Sequence, residues 1–399
     1  MEGLIYLDHH ATTPVDPRVL AAMLPYFREA FGNAASRQHA FGWRAEAAVE
    51  KARTQVARAI GAEAKEIVFT SGATEGNNLA IFGVAERCAE QGRHLIVGAT
   101  EHRAVLDPAQ RLAERGYEVA ILPVDRFGRV DPEALKRAIR PDTILISLMF
   151  ANNEVGTLHP VVEIGKIAKE RGVLFHCDAA QALGKVPIDV EAAGIDLLTL
   201  SAHKFYGPKG VGAIYVRGKN PRVRLAPLLY GGGHERGLRS GTLNVPGIVG
   251  MGEAAELATR EMAETAPKLA ALRDRLWEGL RRGLKGLTRN GHPKESLPNN
   301  LNVTYEGVRS EVLMMEMKGV AVSSGSACSS AEPEPSHVLR ALGLSAEAAK
   351  CSIRYGLGKD NTEAEIDRVV AETVTTLRRL RERGPLAGEV GSAKEGIDS

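Results

Sequence analysis

Between about residue 60 and residue 216, short apolar runs alternate with stretches of helical spacing, and that alternation constrains the fold more than any other feature. The runs occupy 66–70, 94–98, 117–122, 143–149, 173–177, 196–200 and 212–216. Several are apolar at nearly every position, with Ile and Val common. A strand with one wet face alternates apolar and polar residues; a strand apolar throughout is covered on both sides. The intervening stretches at 43–60, 75–91, 104–115, 132–140 and 161–171 read as helices, the last stopped by Gly172 as a C-terminal cap. Strand and helix in repeated succession predict an α/β domain built on a mostly parallel seven-stranded sheet. Past residue 245 the pattern changes. An Ala/Leu/Glu/Arg-rich stretch over 245–287 predicts one extended helix or two. Strands at 300–304, 320–322 and 351–356 then alternate with helices at 310–317, 336–342 and 362–383, which reads as a smaller α+β domain. The ending GPLAGEVGSAKEGIDS has no aromatic residue and no periodicity, and reads as a loose tail.

Composition narrows the function classes. The 51 basic and 49 acidic side chains leave a net charge of +2, which offers no field for nucleic acid or an anionic membrane. Cysteines at 88, 177, 328 and 351 are too few for a disulfide scaffold and too far apart for a CxxC metal or redox pair. No apolar stretch approaches the roughly 18 residues of a membrane span. The opening MEGLIYLDHH lacks a basic segment followed by a long apolar run. The expectation is a cytoplasmic globular protein with free thiols.

Three features suggest chemistry in combination. The motif SGATEGN at 71–77 follows a strand and opens a helix, where unpaired N–H groups and the helix dipole favour an anion. For the motif alone an ordinary Ser/Thr helix cap is the simpler explanation, and no GK[ST] follows to make it a Walker loop. Asp178 stands just past the strand at 173–177, where α/β sheets line their ligand crevice, although a capping role also suits it. Lys204, in SAHKFYGPKG, follows the next strand. Most lysines are solvated surface charges, but partial burial here would lower the pKa and make the amine nucleophilic, as a Schiff-base lysine requires. An anion cup, a strand-end Asp and a later strand-end Lys together fit pyridoxal 5′-phosphate: the cup for phosphate, the carboxylate for the pyridinium nitrogen, the amine for the aldehyde.

Other residues carry open alternatives. His102, in EHRAV, would lie on a cofactor ring and move protons, or would cap a helix. Asn152 and Asn153 would bond a ring hydroxyl or a substrate carboxylate, or would serve turn chemistry. Arg354 sits on a predicted strand and needs an anion, either a substrate carboxylate or an internal partner. Cys88, Cys177 and Cys351 read as small core residues. Cys328, in the Ser-rich stretch SSGSACSSAEPEPS, has no means of burying itself; it is a tolerated surface thiol or a nucleophile. The glycine-rich segment GGGHERGLRSGT at 231–242 suits an ordered loop meeting a phosphate or another subunit, or a plain surface loop.

With SGATEGN, EHRAVL, ANNEVG, DAAQALGK, SAHKFYGPKG, GGGHERGLRSGT, SSGSACSS and SIRYGLG in this order, the chain resembles the cysteine desulfurases, pyridoxal-phosphate enzymes of fold type I. The likeness runs from LDHHATTPVDPRV to about residue 383, and is to the NifS and IscS branch, which has the long Ser-rich arm. The resemblance implies a large cofactor-binding domain over 16–257, a small domain from 1–15 and 258–385, and a tail at 386–399. It implies that Lys204 links covalently to the cofactor, Asp178 meets the pyridinium, His102 stacks on the ring and Gln181 bonds the ring hydroxyl. Ala73, Thr74, Ser201 and His203 would hold the phosphate, with Thr242 reaching across from a second subunit of a homodimer. Asn153 and Arg354 would bind the carboxylate of L-cysteine, and Cys328 would accept its sulfur as a persulfide. The acceptor beyond would be an iron–sulfur scaffold or a tRNA-thiolation protein, with no direct contact to nucleic acid or membrane. Selenocysteine lyase, class V aminotransferase and a non-catalytic assembly component are the alternatives. Cys177, beside Asp178, raises the question of a second reactive thiol.

Overall fold

The computed structural model describes residues 3–324 and 334–383. Its main sheet has seven strands: β1 Ile67–Thr70, β2 His94–Gly98, β3 Glu118–Leu122, β4 Thr143–Ser147, β5 Leu174–Asp178, β6 Leu197–Ser201 and β7 Gly212–Val216. Their spatial order is β1-β7-β6-β5-β4-β2-β3. Only β7 runs against its neighbours; the other pairings are parallel.

Burial on both faces accounts for the apolar runs. Within β2, Ile96 belongs to the core on one side while Leu95 and Val97 belong to the core on the other. β4 divides Ile146 from Leu145 in the same way. Each such side chain contributes about 1.5–3 kcal/mol relative to exposure. One core takes in the helices Ala40–Ala59 and Val161–Arg171, and the other takes in Ala73–Arg87 and Arg103–Ala113. β3 lies at the sheet edge and is only partly covered, so its Glu118 stands in water.

The helix Val245–Gly283 is single and continuous through Pro267. Its first turns, through Leu257, pack on the main-sheet core, while Leu269, Leu272, Leu276 and Leu280 enter a second core. That second core covers an antiparallel sheet of β8 Leu287–Asn290, β9 Asn300–Tyr305 and β10 Ser352–Gly356, with β9 in the middle. Ile5 and Leu7 also lie in it, and Ile5–Tyr6 pairs in parallel with Val320–Ala321. Helical spacing through residue 287 overruns the helix, because the chain turns at Gly286 (φ +67°) and Leu287 begins a strand.

The topology gathers functional positions at one edge. The C-terminal ends of β1, β2, β4, β5 and β6 point the same way, and Gly212 at the start of antiparallel β7 pairs with both Thr70 and Ser201. That edge is where parallel sheets leave a crevice.

Candidate active site

A cleft of about 550 Å³ opens at this edge. Its lining includes Ala73, Thr74, His102, Asn153, Asp178, Gln181, Ser201, His203, Lys204 and Arg354, residues drawn from across the sequence. The cup is the N-terminus of Ala73–Arg87, two residues earlier than sequence spacing suggests. Its N-cap is Gly72, with no side-chain cap, so the first N–H groups face the cleft without the hydroxyl partner of an ordinary Ser/Thr cap. Gly72 has φ +156°, and a Cβ on Gly212 would stand 2.6 Å from its Cα, so two backbones meet here with no room for side chains. Ser71 N donates to Glu75 Oε2 (2.7 Å), and Arg239 of the glycine-rich loop donates to Glu75 Oε1 (2.9 Å).

That loop is ordered. Its Glu235 is buried, accepts from both terminal nitrogens of Arg53 (2.7 and 2.8 Å), and accepts from Phe69 N (2.7 Å). These bonds hold Glu235 and Arg236 at positive φ, 50° and 57°.

Asp178 ends β5 and follows Cys177, so the two side chains leave opposite faces of the sheet. Beneath Ala73–Arg87, Asn77 Nδ2 donates to Asp178 Oδ2 (2.7 Å) and Ala180 N donates to Oδ1 (2.9 Å). Cys177 instead enters the core, where burial, then Glu101 and Asp178, push its thiol well above its ordinary pKa. That setting lacks the exposure and lowered pKa that mark a reactive thiol. Lys204, half-buried, donates to the main-chain oxygens of His10 (2.6 Å) and Ala11 (2.8 Å). Burial, followed by the Arg354 charge, pushes its amine down to about 8, while Asp178 and Asp8 oppose the shift. Burial likewise lowers His203 to about 4, leaving a neutral ring in contact with Thr12 Oγ1 (3.1 Å).

The paired asparagines divide. Asn152 is buried and its Oδ1 accepts from the N–H groups of Glu154 and Val155, a turn role; Asn153 lines the cleft. His102 fills both readings: Nδ1 accepts from Ala104 N (3.1 Å) and caps Arg103–Ala113, while the residue borders the cleft. With Nδ1 accepting, the neutral ring keeps its proton on Nε2. Arg354 donates to Asn153 O (2.9 Å) and Asp8 Oδ1 (2.8 Å), and its buried Nε has no partner among the described residues. An internal pair and an unused donor thus coexist. Thr242 is exposed and is not in the cleft lining, and Cys328 lies outside the described residues.

Sequence reasoning passes over several residues that build the site. His10 is fully enclosed, receives Gln181 Nε2 on its main-chain oxygen (3.0 Å), and meets Gln181 Oε1 through Nδ1 (3.0 Å). Gln181 is therefore held by His10 on both sides of its amide. Lys185 is buried, donates to the main-chain oxygens of Gln181 (3.0 Å) and Lys204 (3.2 Å), and is pushed down to about 7 by burial and then Lys204. The signal available was the polar run DHHATT directly after the apolar LIYL.

An anion cup, a strand-end carboxylate and a depressed amine on one edge of a parallel sheet suit a protein that holds a phosphorylated carbonyl cofactor. The chain belongs to the class-V aminotransferase family, whose description it matches over residues 5–369. It is 60% identical over 99% of its length, and 96% of the relative's, to a cysteine desulfurase IscS of Anaeromyxobacter sp. strain Fw109-5. A NifS-like protein of known structure superposes with a TM-score of 0.88 at 41% identity, covering 94% of this chain and all of that one. SspA, solved in complex with cysteine, gives 0.80 at 37% identity, covering 90% of this chain and all of that one. The family's cofactor is pyridoxal 5′-phosphate, and the donor set here fits it: an uncapped helix start for phosphate, Asp178 for a ring cation and Lys204 for an aldehyde.

Only an uncharged amine attacks a carbonyl. In cofactor-free protein, the rate of bond formation between Lys204 and pyridoxal phosphate is therefore expected to rise about tenfold per pH unit toward the amine's pKa and then level off. The levelling belongs near pH 8, by stopped-flow absorbance, and a rate still climbing up to the ordinary lysine pKa would contradict it.

Proposed function

We infer that the chain is a cysteine desulfurase that takes sulfur from L-cysteine and leaves L-alanine. The observation that carries the reading is the convergence on one cleft of Lys204, with its depressed amine, and Arg354, with a buried unused N–H. The first suits bond-making at the amino acid's Cα, the second its carboxylate. The named relatives and the cysteine-bound neighbour agree with that substrate.

The helix start at Ala73, with Thr74, Ser201 and His203, would hold the phosphate, and Thr242 of a second copy would complete it. Asp178, fixed by Asn77, would sit at the ring nitrogen, His102 over the ring face and Gln181 at the ring hydroxyl. When bound, pyridoxal phosphate supplies an electron sink for the pair left at Cα. Lys204 Nζ would take the Cα proton and hold it for return. Asn153 and Arg354 orient the substrate through its carboxylate. The Cys328 thiolate then attacks the substrate sulfur. An S–S bond forms, the Cβ–S bond breaks, and its electron pair, once protonated, becomes the methyl of alanine. The sum is cysteine plus enzyme thiol giving alanine plus enzyme persulfide.

The persulfide would pass to an acceptor protein serving iron–sulfur assembly or tRNA thiolation, in a cytoplasmic homodimer. Among the described residues no helix is long and apolar enough to cross a membrane. Incubating the cofactor-loaded protein with L-cysteine and a reductant is expected to yield alanine and sulfide in equal amounts. Amino-group exchange with a keto acid and no sulfide would favour an aminotransferase, and no change in the amino acid would favour a non-catalytic component.

A further inference from the structure

The residues on either side of 325–333 are tied to the cleft at three points. Before it, Ser323 exchanges main-chain bonds with Arg354: Arg354 N to Ser323 O at 2.6 Å and Ser323 N to Arg354 O at 3.3 Å. After it, Ser336 Oγ donates to Glu154 Oε2 (2.5 Å) and accepts from Leu339 N (3.2 Å), capping the helix His337–Ala341. His337 Nε2 meets the main-chain oxygen of Glu101 at 2.9 Å. Val338, Leu339 and Leu342 pack with Val155 in a small core of their own. The three hydrogen-bonded anchors are a cleft residue or a cleft residue's immediate neighbour in the chain: Arg354 itself, Glu154 beside Asn153, and Glu101 beside His102.

Glu154 is built to be rigid. Its N–H donates to Asn152 Oδ1 (2.8 Å), and its main-chain oxygen accepts from Asn300 Nδ2 and Asn302 Nδ2, each at 3.2 Å. The carboxyl is 4% exposed, and burial raises it to about 7 against the opposing pull of Ser336 and Arg354. A buried carboxyl is costly unless it is bonded, and packing alone would be served better by an apolar side chain. The hydroxyl of Ser336 is what this one bonds.

We propose that Glu154 is a positioning residue: through Ser336 it fixes where the Cys328-bearing segment rejoins the fold, relative to the Asn153–Arg354 end of the cleft. The proposal rests on the reading of Cys328 as sulfur acceptor. Holding a nucleophile near its target raises its effective concentration, and one lost anchor lowers it without touching the substrate.

The test compares Glu154→Ala, Ser336→Ala and Glu154→Gln in the cofactor-loaded enzyme. Three quantities are measured: the spectral change on adding L-cysteine, the first-turnover rate of persulfide on Cys328 by rapid quench and mass spectrometry, and amide exchange across residues 337–341. Glu154→Ala and Ser336→Ala are expected to slow persulfide formation about tenfold or more, with cysteine half-saturation held within about twofold. Exchange across the helix should accelerate in both. Glu154→Gln, whose amide oxygen still accepts from Ser336, should recover most of the rate and the protection. Persulfide formation at the unaltered rate in Glu154→Ala, or a cysteine response weakened as much as the transfer, overturns the role of Glu154. Sulfide release from the unaltered enzyme with no persulfide on Cys328 sinks the reading of Cys328 first, and the proposal with it.

Discussion

Replacing Lys204 with alanine is expected to leave a folded protein that no longer bonds its cofactor covalently and no longer turns over L-cysteine. The amine makes two hydrogen bonds, both to main-chain oxygens of the N-terminal segment, and the side chain is only half-buried. Its removal therefore strands no buried charge, and thermal stability should change little. Catalysis should change greatly. A positioned group that moves a proton is worth about 10²–10⁴ in rate, and the covalent link is lost as well, so a fall of at least about 10³ is expected. The check is borohydride reduction followed by peptide mapping. In the unaltered protein the cofactor should be trapped on Lys204, and in the variant nowhere. Lys185 makes the experiment sharper, because its amine is also depressed, to about 7, and bonds the Lys204 main chain. It is buried, bonds the Gln181 and Lys204 carbonyls, and does not line the cleft. A reduced adduct on Lys185 in the unaltered protein would move the chemistry from one lysine to the other.

Six of the seven strands of the main sheet are legible in the sequence because they are buried nearly throughout, which leaves an unbroken apolar run such as Leu95, Ile96 and Val97; the edge strand β3, with Glu118 in water, is legible only from its flanking apolar residues. Short strands are not: Ile5–Tyr6 gains its place from Val320, far along the chain, and Leu287–Asn290 from the next strand, where it pairs Asn290 with Asn302. Lys204 and Asp178 could be paired from sequence because both follow apolar strands at one sheet edge. His10 and Asp8 could not, since they reach the cleft from the chain's start and meet Gln181 and Arg354 only through the fold. Sequence could also not separate Asn152 from Asn153, as both suit a turn; the separation lies in which amide faces the buried N–H groups of Glu154 and Val155. The asymmetry is physical. Local periodicity reports burial, while a site assembled across 171 positions, as His10 and Gln181 are, reports itself only in three dimensions.

Cys328→Ser is expected to keep the cofactor and the spectral response to L-cysteine while losing sulfide release. The three cysteines among the described residues argue for this. Cys88, Cys177 and Cys351 are free and buried, and burial pushes each thiol above its ordinary value. None of the three lines the cleft, and burial raises each thiol where a nucleophile needs it lowered, so none is placed or activated to attack a substrate sulfur there. The proposed function gives transfer to Cys328, whose Ser-rich sequence offers no apolar cover. Serine keeps the size but not the thiolate, and sulfur-to-sulfur transfer should drop by about 10² or more. Substrate engagement, which the proposed function assigns to Lys204, Asn153 and Arg354, should persist. Stopped-flow absorbance and sulfide assay on one preparation separate the two effects. Replacing Cys177 with alanine provides the contrast, because it should leave transfer intact while opening a small cavity in the main core. Undiminished sulfide from Cys328→Ser, or its loss from Cys177→Ala with stability unchanged, would place the acceptor thiol elsewhere.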